Sequence, residues 1–141
     1  IDEFTRVLAE SRNPVIRAFA LENLGNLHLE QGRCEQAVEL FVELVDSGII
    51  AREPRFHTSY FNLALACGFL ERFEDCEYWL GLLDAQFPHR RRALAAEFAK
   101  RSQFAAVVRR NEAWYLRFSA RFPAWFPDLA DMADMAAGGA Y

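Results

Sequence analysis

At 141 residues, with 52% hydrophobic and 26% charged side chains, the chain can bury roughly two thirds of the surface its unfolded form exposes, which excludes disordered and fibrous classes. The formal net charge is only −4, and the longest uncharged run, residues 56–70, is too short for a bilayer and carries His57, Thr58, Ser59, Tyr60 and Asn62, so membrane insertion is not expected. Cys34, Cys67 and Cys76 stand at neither disulfide nor metal spacing, and no charged-then-apolar leader opens the sequence; three reduced core thiols in a cytoplasmic protein are expected.

Helical period runs through the sequence, and no stretch alternates like a strand. The spacing of Phe4, Val7 and Leu8 predicts a helix over residues 1–12, stopped at Asn13 and Pro14. Pro14 suits the first turn of the next helix, 15–31, which Gly32 ends. A helix over 35–46 turns Ala37, Val38, Phe41, Leu44 and Val45 inward, and Ser47 and Gly48 close it before a loop through Pro54. A second helical pair follows over 55–70 and 74–86, closed by Phe87 and Pro88, and a third over 90–101 and 104–122. Pro123 and Pro127 forbid a continuous helix across Ala124, Trp125 and Phe126. A short amphipathic turn with Leu129, Met132 and Met135 is expected next; Gly138 and Gly139 lack the strand and helix of a phosphate loop.

Two of these pairs repeat each other. Leu21, Leu24, Gly25, His28, Ala37 and Phe41 correspond to Tyr60, Leu63, Ala64, Cys67, Cys76 and Leu80 at a constant offset of 39 residues. A doubled unit of this size indicates stacked helical hairpins, each too small to bury its own apolar face. The pattern resembles the tetratricopeptide repeat. Gly32, Arg33, Cys34, Glu35, Gln36 and Ala37 look like that family's Gly-Asp-Tyr-Glu-x-Ala turn, Phe73 supplies the aromatic of the second turn, and Pro88 falls where the family ends its unit. The resemblance implies an all-α, right-handed solenoid of about three hairpins over residues 1–122. Its best repeats are 18–51 and 57–90, with a degenerate third over 88–122 whose second helix caps the stack. Residues 123–141 form a Pro-bracketed, acidic tail.

In such a family the first helices of successive hairpins line a groove that takes an extended or helical segment of another protein. That mapping selects Phe19, Asn26, Thr58, Phe61, Asn62, Leu65 and Phe69, with Arg92 from the third unit. Phe61, Leu65 and Phe69, at i, i+4 and i+8, make an apolar stripe distinct from the packing stripe of Tyr60, Leu63, Ala64 and Cys67. The partner, or the chain's own tail, would cover it. One subclass grips a terminal carboxylate with Lys, Asn, Asn, Lys and Arg. Asn26 and Asn62 match the two Asn, but Glu22 replaces the first Lys and would repel a carboxylate, so that clamp is not expected.

Charge is uneven. Residues 1–87 hold 7 Arg against 15 acids, residues 88–127 hold 9 Arg or Lys against 2 acids, and Asp128, Asp131 and Asp134 follow. Arg109, Arg110, Arg117 and Arg121, interleaved with Trp114, Phe118 and Phe122, suggest an alternative: a basic surface for nucleic acid, or an aromatic helix for homodimerisation. Segregation of the Arg face from the aromatic face disfavours base stacking, and Asp128, Asp131 and Asp134 suit docking on the Arg face. No nucleophile, base and acid recur in a recognisable motif, and neither cofactor nor metal is expected. The sequence reads as a binding module, not an enzyme.

Overall fold

The computed structural model describes residues 2–126. The predicted turn at Leu129, Met132 and Met135, the acids Asp128, Asp131 and Asp134, and the glycine pair lie outside the described residues. Within them the chain is all-α, with nine α-helices: α1 Asp2–Glu10, α2 Pro14–Glu30, α3 Cys34–Asp46, α4 Ile49–Arg52, α5 Thr58–Phe69, α6 Phe73–Gln86, α7 Arg91–Ala99, α8 Ser102–Arg110 and α9 Glu112–Arg121. Two 3-10 turns, Pro54–His57 and Pro88–Arg90, precede α5 and α7. The contacts divide the chain into two compact units, Ile1–Leu83 and Asp84–Tyr141.

In the first unit the local signals act as read. Asn13 caps α2, its Oδ1 accepting from the Val15 and Ile16 amides at 3.0 and 3.1 Å, with Pro14 at the first helical position. α2 ends at Gly32, φ +77°, where the Gly32 amide donates to Leu29 O and the Arg33 amide to His28 O at 2.8 Å. The end of α5 copies this 39 residues later. Glu71, φ +58°, donates to Gly68 O and Arg72 to Cys67 O at 2.8 Å. The following helices start alike too, Ala37 donating to Arg33 O and Cys76 to Arg72 O, each at 3.0 Å. The two turns are therefore one geometry used twice, with Glu71 in the left-handed position that Gly32 takes without side-chain strain.

α2 packs along α3, α3 along α5, and α1 against α2. Tyr60 of α5 stacks on Trp79 of α6 with centroids 6.1 Å apart. The close approach of α2 and α3 is made at Gly25, where a Cβ would come within 2.7 Å of the buried Phe41 ring. The predicted loop after Gly48 proves to be mostly helical. α4 and the Pro54–His57 turn bury Ile49, Ile50 and Phe56, and this apolar anchorage orders a stretch too short to show a period. As a result α5 begins at Thr58, not near 55. Its flanks are apolar all round, and Ser59 through Gly68 are buried except Asn62, which is half-buried.

Burial raises all three thiols, Cys67 up to about 11, and Cys67 and Cys76 are enclosed while Cys34 is partly exposed. A thiol-specific disulfide reagent at about pH 8 is expected to titrate one thiol in the folded protein and the other two only on unfolding; prompt reaction of all three would contradict this packing.

The second unit departs from the predicted pair. The single helix expected over 104–122 breaks at Asn111 (φ −134°, ψ 51°) into α8 and α9. The Asn111 side-chain amide donates to Val107 O at 2.9 Å and its own amide to Val108 O, so the Asn competes for the carbonyls a continuing helix would use. The proline-bracketed segment turns back into the core. The Phe126 ring lies 4.8 Å from Phe118, 5.2 Å from Phe98, 5.9 Å from Tyr115 and 6.1 Å from Phe104. Beside it the buried Trp125 donates Nε1–H to Asp84 Oδ1 at 2.9 Å, and the same oxygen accepts from Arg91 Nε.

The Arg91 hydrogen bond, aided by that from Trp125 and opposed by burial, holds the Asp84 carboxyl below its usual value. A carboxylate depressed in the folded state contributes stability that is present above its unfolded value and is lost as pH falls through the folded one. Tryptophan fluorescence, titrated downward from about pH 5, should therefore show an acid transition of this unit that Asp84→Asn flattens. An unchanged acid limb in that variant would mean that the contact carries no stability.

Candidate functional site

One face of α2 carries Ile16, Phe19, Glu22, Asn23, Asn26 and Glu30, a single stripe at helical spacing. Ile16 and Phe19 are 48% and 44% exposed, large for apolar side chains on a folded surface. Phe19 meets the buried Phe56 edge-on, centroids 5.1 Å apart at 72°. Arg55, delivered by the 3-10 turn, lays its guanidinium 4.8 Å from the centre of the Phe19 ring and 5.3 Å from that of Phe56. Arg55 also pairs with Glu53 at 3.6 Å, an exposed contact worth little by itself.

One turn along, Glu22 is half-buried and accepts no hydrogen bond among the described residues. Burial raises its carboxyl above the ordinary value, and the nearby Arg55 only partly offsets that. Beyond it Asn26 and Asn62 meet across α2 and α5, Asn62 Nδ2 donating to Asn26 Oδ1 at 3.0 Å. The paired amides keep one carbonyl oxygen and further N–H groups to offer, the complement of a peptide backbone.

The structure thus joins Phe19, Asn26 and Asn62 on one surface, with Thr58 half-buried at the start of α5. It does not give Phe61 and Leu65 the role expected of them. Both are buried within the chain and form no open stripe, while Phe69 is half-buried. The reason is the all-round apolar character of α5, which makes it a core helix with no free second face. Arg92 is exposed on α7, in the second unit. The surface also includes Ile16 and Arg55, which lie outside the groove positions that the repeat mapping picks out. Ile16 is legible one turn before Phe19, whereas no local pattern announces where Arg55 would reach.

In the second unit Arg109, Arg110, Arg117 and Arg121 are exposed, but the break at Asn111 separates the first two from the last two. Trp114, Phe118 and Phe122 are buried in their own core, with Trp114 stacked on Phe118 at 4.6 Å, so they provide neither a base-stacking platform nor an aromatic dimer face. On α9 the exposed large apolar residue is Leu116.

A different concavity, of about 460 Å³, lies between the start of α2 and the end of α3, lined by Arg12, Arg17, Glu43, Asp46 and Arg52 among others. Arg17 there pairs with Glu43 at 3.3 Å and donates to the Ser11 and Leu8 carbonyls, so its charge is used in tying α1 to α2. Among the described residues no helix is long and apolar enough to cross a membrane, and no three His, Cys, Asp or Glu side chains are grouped to hold a metal ion. No family model, curated protein or solved structure matches this chain.

Proposed function

We propose that the chain is a protein-binding module built on tetratricopeptide-like hairpins, and that it takes a linear segment of another protein along the exposed face of α2 beside Asn62. The repeated turn geometry at Gly32 and Glu71, with the close contact at Gly25, supports the hairpin repeat. The observation that carries the binding role is the exposure of Ile16 and Phe19 on the same face of α2 as an amide pair, two turns beyond Phe19, that still has donors and an acceptor to offer. Apolar anchors flanked by backbone-reading groups are what an extended ligand needs, since the anchor supplies desolvation and the amides fix register.

The test is selection of random dodecapeptides on the intact chain, followed by affinity measurement with synthetic copies of those recovered. Phe19→Ala and Asn62→Ala are each expected to weaken binding by about tenfold, the scale of a lost anchor or buried hydrogen bond. Leu116→Ala, on the second unit, should leave it unchanged. Binding indifferent to both α2 and α5 changes would place the site elsewhere. The burial of the second unit's rings leaves only phosphate contacts to support nucleic-acid binding, so that reading ranks below the peptide one.

A further inference from the structure

Resting on that reading, we infer that the segment bound by α2 presents a basic side chain, taken up by Glu22, next to an apolar one laid on Ile16 and Phe19. Three independent features of the first unit point this way. Glu22 lies on the exposed stripe between Phe19 and Asn26, three residues after the one and four before the other, so a ligand crossing from the aromatic to the amide pair passes over its carboxylate. At a helical rise of 1.5 Å per residue that crossing is roughly 10 Å, about three residues of extended chain.

The second feature is local charge. Arg55, Glu53 and Glu22 together carry one positive and two negative groups, and Arg55 is within pairing distance of Glu53. Glu22, half-buried and without a hydrogen bond among the described residues, shares Arg55 with Glu53, so the three groups keep one net negative charge. Burial is the main cause of its raised pKa and Arg55 offsets it only in part, consistent with a charge the fold does not fully neutralise. The third feature is the surrounding field. Residues 1–83 hold 7 Arg against 14 acids, so the unit as a whole attracts cations and repels anions.

The chemistry defines the ligand residue. An Arg or Lys can lie with its aliphatic stem along the exposed part of Phe19 or Ile16 while its charged head reaches Glu22. An Arg head would add a planar, bidentate pair with the carboxylate. An acidic ligand residue at the same point would face Glu22 and the net negative unit.

The peptides recovered on the intact chain decide the matter. Enrichment of Arg or Lys beside an aliphatic or aromatic residue is expected, and replacement of that Arg by neutral citrulline should weaken binding by about tenfold. Glu22→Gln should weaken the Arg peptide to the same degree and leave the citrulline peptide untouched, so that the two changes are not additive. The melting temperature of Glu22→Gln should be equal to or above that of the parent, because the substitution removes a half-buried charge that Arg55 compensates only in part.

Citrulline and Arg peptides of equal affinity, additive effects of the two changes, or a Glu22→Gln protein that melts lower with its discrimination intact would each overturn the inference. The groove reading would survive those results so long as Phe19→Ala and Asn62→Ala still weaken binding. Recovery of no peptide above background, or binding indifferent to those two substitutions, would overturn both.

Discussion

Phe126→Ala is expected to destabilise the second unit by about 3–5 kcal/mol, the cost of emptying a fully packed aromatic site. The ring sits within 4.8 to 6.1 Å of four others, from α7, α8 and α9, so its removal opens a space that no single neighbour can fill. Against a typical total of about 5–15 kcal/mol, such a loss leaves the unit marginal or unfolded near body temperature. Denaturant unfolding followed by near-ultraviolet circular dichroism, which reports on Trp114 and Trp125 together with Trp79 of the first unit, measures it once Trp79 is replaced by Phe. Leu116→Ala, at a side chain 69% exposed, is the control and should stay within about 0.5 kcal/mol. A Phe126→Ala protein with an unchanged midpoint would show that the segment after Pro123 is an appendage and no part of the core.

Opposite outcomes are expected at two helix-interior glycines. Gly25→Ala would place its methyl 2.7 Å from Cζ and 2.8 Å from Cε1 of Phe41, a ring fully buried between the hairpin helices. Overpacking of this kind costs about 1–3 kcal/mol, and the better helix propensity of Ala returns at most about 1. A net loss follows, with the α2–α3 contact forced apart. Gly81→Ala, in α6, meets nothing within 4 Å and collects the propensity gain alone, about 0.5–1 kcal/mol of added stability. Thermal unfolding of both variants separates the two effects. Stabilisation by Gly25→Ala would mean that the hairpin is looser than this geometry, and the repeat argument would lose its steric basis.

The apparent equivalence of the two apolar stripes on α5 shows where reading from sequence runs out. Phe61, Leu65 and Phe69 have the spacing of a presented face, and so do Tyr60, Leu63, Ala64 and Cys67. Period alone cannot say which is covered, because cover comes from residues distant in the chain; in the fold Phe61 and Leu65 are as buried as the packing stripe. On α2 the exposure of Phe19 is legible, because that helix has a polar remainder, Glu22, Asn23, Asn26 and Glu30, to mark its open side.

The sequence by itself determined the all-α class, the places where α1, α2, α3 and α6 begin and end, and the turns at Gly32 and Glu71. These rest on caps, proline, left-handed positions and 3.6-residue spacing, all of which act within a few residues of one another. Only the tertiary structure decided the order around Ile49, Ile50 and Phe56, the break at Asn111, and the return of Trp125 and Phe126 into the core. It also decided the Asn26–Asn62 bond and the stacking of Arg55 on Phe19. Each of these depends on which remote group arrives to take a buried surface or a hydrogen bond, as Asp84 meets Trp125 across 41 residues. Such pairings are set by packing and desolvation after the helices have formed, and they leave no periodic trace in the chain.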